Sequence, residues 1–185
     1  MLKTAPRLSR LPRSQATPAV AEIYDRYMRT RGNVPNMFRT MALRPEIFET
    51  MIAHFEAVLH SGTVPLRLKE LLIVRTSQLN RCDYCLASHS RIALTLGWTR
   101  EQLDGLSDFS LRDDFTPAEK AALRLAEQMT LDSTRVSDED FESLRAHFVD
   151  GEIVELMAAI GLFNYFNRFN NTLRLEPTKP GEGAE

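Results

Sequence analysis

At 185 residues, with 43% hydrophobic and 26% charged side chains, the chain has the balance of a globular protein and enough length for one domain with a real core. A net charge of -2 gives it no basic field for nucleic acid, and no apolar run is long enough to span a bilayer. The N-terminus is basic (Lys3, Arg7, Arg10, Arg13) but lacks the apolar core of a signal peptide, so the expected location is the cytoplasm, where structural disulfides are rare.

Residues 1–14 are polar and basic, with two prolines, and are expected to form an extended N-terminal arm. Residues 15–175 are expected to form one helical domain. Thr17-Pro18 is a cap followed by proline at the first helical position, and Gly32 stops that helix. Asn33 to Asn36 reads as a turn, and Met37 to Leu43 as a short connecting segment. Pro45 opens a second helix through Ile47, Phe48, Met51, Ile52, Phe55 and Leu59. Pro65 opens a third, which carries Glu70. A fourth runs from about Cys82 to Leu96 and ends at Gly97. Thr99 to Gln102 has the pattern of a capping box for a short fifth element, and 104–114 reads as loop. Thr116-Pro117-Ala118-Glu119 is a second capping box, opening the sixth helix. Ser137 caps a seventh, with acidic residues at the positive end of its dipole. The eighth runs from Ile153 to about Leu173 and is apolar nearly all round as far as Phe166, as a helix buried in the domain or against a second subunit would be. Residues 176–185 are expected to be a flexible C-terminal tail. No alternating strand pattern appears. The fold class is therefore all-α, a bundle of about eight helices.

The chemistry concentrates between Glu70 and His89. Each residue of a helix advances by about 100°, which puts Cys85 and His89 within about 60° of Cys82, on the face that also carries Ala93 and Leu96. On the preceding helix Glu70 shares a side with Leu66, Ile73, Val74 and Ser77, while Leu68, Leu72 and Leu79 cover the other. A helix apolar on two sides is central, so Glu70 is expected to be at least partly buried. A buried carboxylate is costly unless paired, hydrogen-bonded or protonated. Positions i and i+3 of a helix lie about 5–6 Å apart, within the separation a disulfide tolerates. Cys82 and Cys85 therefore need little backbone movement to bridge, and the helix N-terminus favours their thiolates. His89, one turn beyond Cys85, is in position to exchange a proton with it.

Glu70, then Cys82-x-x-Cys85 twelve positions on, then His89 four further, resembles the AhpD-like alkylhydroperoxidases of the carboxymuconolactone decarboxylase superfamily. Gly32-Asn33-Val34-Pro35-Asn36, Arg44-Pro45 and Pro65-Leu66-Arg67-Leu68-Lys69-Glu70 are similar to its peroxidase-related members, and the likeness covers roughly residues 30–175. The resemblance implies an all-helical fold assembled as a homotrimer or homohexamer, without haem, flavin, metal or any other cofactor. It implies a cysteine-dependent peroxidase in which Cys85 is the peroxidatic thiol, Cys82 the resolving one, and Glu70 and His89 the proton relay. Its partners would be a small-molecule hydroperoxide and a dithiol reductant protein. One position departs from the pattern. The residue before the second cysteine is commonly a histidine that joins the relay, and here it is Tyr84, a phenol with an unperturbed pKa near about 10 and at best an auxiliary proton carrier at neutral pH.

Other readings stand beside this one. His89 and Glu70 are also an acid and a base suited to decarboxylase or lactone chemistry without the thiols. The cysteine pair also fits a non-catalytic redox sensor. Two cysteines, one histidine and one glutamate could in number make up a zinc set, although structural zinc favours cysteine-rich sets held by loops. Glu70 has Arg75 and Arg81 as alternative ionic partners. His54, His60 and His147 have no motif around them and read as structural or surface residues. Trp98 is expected to pack the end of the fourth helix. Asn164, Asn167 and Asn171 share a stripe that could be satisfied across a subunit interface.

Overall fold

The computed structural model describes residues 5–183. Residues 1–4 of the expected arm and 184–185 of the expected tail, Lys3 among them, lie outside the described residues. All regular structure among the described residues is helical: α1 (Pro18–Arg31), α2 (Asn36–Met41), α3 (Pro45–His60), α4 (Leu66–Leu79), α5 (Asp83–Thr95), α6 (Arg100–Asp104), α7 (Pro117–Leu131), α8 (Asp138–Arg145) and α9 (Asp150–Leu173), with short 3-10 turns between some of them. Among these residues no helix is long and apolar enough to cross a membrane.

Helix ends fall where local chemistry puts them. Thr17 caps α1 by accepting from the Val20 N–H, and Gly32 closes that helix in the left-handed conformation. Thr99 and Thr116 each form a complete capping box, with Gln102 and Glu119. Two stretches differ from expectation. The segment after Asn36 is a true helix, α2, every residue of which is buried. Gly105–Leu111, expected as loop, is a 3-10 helix that buries Leu106 and Phe109. In both, burial against other elements rather than local propensity decides the conformation.

The chain divides into two compact units, one made by residues up to Glu56 and from Phe169 onward, the other by Ala57–Arg168. The first has an aromatic core: Phe38 meets Tyr27, Phe48 and Phe55 with ring centroids 4.9, 5.7 and 5.9 Å apart. Described residues towards each end of the chain bond within it. Arg7 and Leu11 donate backbone hydrogen bonds to Leu173 and Arg39 (3.0 and 2.8 Å), and Val34 donates to the Glu182 carbonyl at 2.9 Å. Arg10 pairs with Glu182 at 2.5 Å.

The second unit is built around α4, which packs on both α5 and α7. Ten consecutive residues of α4, Leu68 to Ser77, are buried. Leu71, Leu72 and Val74 join Ala122, Leu125 and Ile160 in one core. Trp98 closes the end of α5, as expected. Its indole N–H donates to the Arg67 carbonyl at 2.8 Å, and the Arg67 guanidinium lies 3.4 Å above its ring.

Candidate functional site

A helix covered on two faces must bury whatever charged residues it carries, and α4 carries two in succession. Lys69 is fully buried and Glu70 is 2% exposed. Their side chains find opposite fates. Lys69 Nζ donates to the carbonyls of Val58 and Ser61 at 2.8 and 2.9 Å and lies 3.0 Å from Glu155 of α9. Glu155 in turn accepts from the Thr63 and Val64 N–H groups at 2.8 and 3.1 Å. Burial alone would raise the Glu155 carboxyl. These N–H groups and the Lys69 ammonium outweigh that and hold it below the ordinary glutamate value. Lys69 therefore ties the α3–α4 connection to α9.

Glu70 points instead to α5. Its Oε2 lies 2.8 Å from Nδ1 of His89, whose side chain is 12% exposed. With the carboxylate ionised, Nδ1–H donates and Nε2 is left as the basic nitrogen of the ring. Phe163 of α9 meets the imidazole in a T-shaped contact, with centroids 4.7 Å apart and planes at 82°. The ring is thus held on one side by a carboxylate and on another by an aromatic ring. Arg75, the alternative partner for Glu70, is bound to Glu127 through two guanidinium nitrogens.

Cys82 and Cys85 are thiols, and both are buried. Cys82 has extended backbone at the N-cap of α5, and Cys85 sits in its first turn, four residues before His89. Tyr84 lies between them and is half-buried. The sequence-predicted residues therefore come together as two neighbouring pairs, Glu70 with His89 and Cys82 with Cys85. Among the described residues no three His, Cys, Asp or Glu side chains converge closely enough to hold a metal ion. His54, His60 and His147 are exposed.

Sequence reasoning missed two features. The first is the burial of Lys69, whose one signal was its place on a helix with no polar face. The second is the destination of the α9 asparagines. Asn164 and Asn167 bond to Asn80, Thr130 and Ser77 of the same chain.

The Carboxymuconolactone decarboxylase family pattern matches residues 45–128, a stretch that contains Glu70, both cysteines and His89. The chain is 32% identical to the protein YdfG of Bacillus subtilis (strain 168) over 129 residues, 69% of this chain and 87% of that one. Its fold superposes with a TM-score of 0.84 on a peroxidase-related protein with an alkylhydroperoxidase AhpD core from Ralstonia eutropha JMP134. That likeness is at 27% identity and covers 94% of this chain and 93% of the other. A putative antioxidant defence protein AhpD from Agrobacterium tumefaciens is 30% identical, with a TM-score of 0.68 over 74% of this chain and 94% of its own. The chain therefore belongs to the AhpD-like/carboxymuconolactone decarboxylase superfamily of all-helical proteins.

Proposed function

We propose that the chain is a cysteine-dependent hydroperoxide reductase. The observation that carries this reading is the buried 2.8 Å contact between Glu70 and His89 one helical turn beyond the cysteine pair. A structural ion pair would not need a titratable imidazole there, whereas thiol chemistry needs a group that takes and returns protons.

In this reading Cys85 is deprotonated, with Nε2 of His89 as the accepting nitrogen and Glu70 stabilising the imidazolium. The Cys85 thiolate attacks the terminal oxygen of the hydroperoxide. The O–O bond breaks, Cys85 becomes a sulfenic acid, and the alkoxide leaves as the alcohol after taking a proton from the relay. The Cys82 sulfur then attacks the Cys85 sulfur. An S–S bond forms, the S–O bond breaks, and water departs with the Cys82 proton. One hydroperoxide is reduced by two electrons, two thiols are oxidised, and an external dithiol reductant restores them. Tyr84 replaces the histidine otherwise common at this position, so the relay runs through Glu70 and His89. Assembly as a homotrimer or homohexamer, and a cytoplasmic setting that keeps the thiols reduced, belong to the same proposal. Light scattering tests the assembly.

The test is hydroperoxide consumption with a dithiol reductant, comparing wild type with Cys82→Ser and Cys85→Ser. Turnover in wild type, its loss in Cys85→Ser and a trapped sulfenic acid in Cys82→Ser are expected. The same Glu70–His89 pair also suits acid–base catalysis without thiols. That second reading takes over if both serine variants keep full activity on a decarboxylase or lactone substrate.

A further inference from the structure

The link between α4 and α5 is only three residues long, and its backbone is fully specified. Asn80 ends α4, donating its N–H to the Thr76 carbonyl at 3.0 Å. The Arg81 N–H bonds to the Gln78 carbonyl and the Cys82 N–H to the Ser77 carbonyl, at 3.0 and 2.9 Å. These two bonds define a Schellman closure. The residue at its turning point takes a left-handed conformation and is usually glycine. Here it is Arg81, with φ 52°. A side chain in that conformation is strained and persists only where the surroundings over-determine it. Cys82, the next residue, is at once the last residue of this closure and the N-cap of α5.

The surroundings that hold the turn are polar. The Asn80 side-chain amide donates to Asn164 Oδ1 at 2.8 Å and to Asn167 Oδ1 at 3.0 Å. Asn167 is fully buried and donates to Ser77 Oγ at 3.1 Å. Asn164 donates to Thr130 Oγ1 at 3.1 Å, and its Oδ1 also accepts from Arg168 at 2.7 Å. The turn is thus fixed to α9 through the Asn80 amide, and α9 is fixed back to α4 and α7. None of these groups belongs to the Glu70–His89 pair. The residue that follows the strained one in the chain carries the Cys82 thiol.

We propose that Asn80, gripped by Asn164 and Asn167 of α9, is a positioning residue that fixes the Arg81–Cys82 turn and so sets how readily Cys82 closes onto Cys85. This rests on the thiol-exchange reading of the cysteine pair, but not on the identity of the oxidant. A disulfide forms efficiently when the two sulfurs are held in reach, and a loosened turn lowers their effective concentration.

The experiment is equilibration of the full chain in glutathione buffers. Cys82 and Cys85 together give two electrons and two protons to oxidised glutathione, which is cleaved to two reduced molecules. Quenched samples are read by mass for the closed fraction and its rate of formation. Asn80→Ala is expected to lower the closure equilibrium constant about tenfold, the worth of roughly one net hydrogen bond, and to slow closure. Asn164→Ala is expected to act in the same direction. Asn164→Asp keeps an acceptor for Asn80 and for Arg168, and the Thr130 hydroxyl can donate in place of accepting, so it is expected to retain closure. Thr116→Ala removes a distant helix cap and serves as the control that lowers melting temperature without moving the equilibrium. If Asn80→Ala, or Asn164→Ala where the first does not fold, closes with wild-type constant and rate, the proposal is overturned. It is likewise overturned if Asn164→Asp and Asn164→Ala lose closure equally. Closure in glutathione without hydroperoxide consumption would defeat the peroxidase reading while leaving the positioning role intact.

Discussion

Lys69 and Glu70 are neighbours on one helix, are both buried, and carry opposite charges, yet they do different things. Lys69 is surrounded by groups that do not titrate near neutral pH, two backbone carbonyls and the depressed Glu155 carboxylate. Its charge is committed to holding the α3–α4 connection against α9. Glu70 meets an imidazole, the one side chain whose ordinary pKa lies near neutrality. Burial of a charged residue is therefore not itself a sign of function; under the proposed reading, the chemical nature of the partner separates a clamp from a relay.

Substitutions can break this comparison at either residue. Glu70→Gln keeps the shape and removes the charge, and is expected to slow hydroperoxide turnover about 10²–10⁴-fold, the usual worth of a proton-transfer group, while the protein stays folded. A variant that turns over normally would make Glu70 structural. Lys69→Met is expected to do the reverse. It leaves Glu155 and two carbonyls without their cation and should cost about 3–5 kcal/mol in urea unfolding. A loss under about 1 kcal/mol would remove the clamp from the account.

Smaller effects sharpen the clamp. Gly62 has φ 85°, and a Cβ there would run into the Glu155 carboxyl group. Gly62→Ala should cost about 1–3 kcal/mol through strain and displacement of that carboxylate. The pH dependence is the mildest test. The folded Glu155 value lies below the ordinary 4.5, so its contribution is fully present above that pH and is lost as pH falls through the lower folded value. The stability gap between wild type and Glu155→Gln should be flat from pH 6 to 8 and narrow below about pH 4.5. A gap that is constant down to pH 3 would mean that the Glu155 charge gains nothing from the Thr63 and Val64 N–H groups or from Lys69.

What the sequence revealed follows the range of the interactions involved. Thr17-Pro18 and the Thr116–Glu119 box are local, and both are legible from spacing alone. Glu70 and His89 were legible because helical periodicity set each on a buried face and a known motif supplied the pairing. The partner of Arg75 was not, because Glu127 lies 52 positions away and nothing local selects it over Glu70. Lys69 was missed for a related reason: lysine ordinarily marks the solvent side, and only the packing of α5, α7 and α9 around α4 reverses that. The asparagine stripe of α9 was visible, but its partners on α4 and α7 were not. Arg81 gave no signal, since its left-handed backbone stands where the sequence offers no glycine.

The most direct test of the central claim is to add one equivalent of hydroperoxide to the reduced protein and weigh the product with its peptides mapped. The account predicts loss of two hydrogens, located to a Cys82–Cys85 disulfide, formed quickly in wild type and far more slowly in Glu70→Gln. An unchanged mass in wild type, with hydroperoxide consumed equally well by Cys85→Ser, would contradict it.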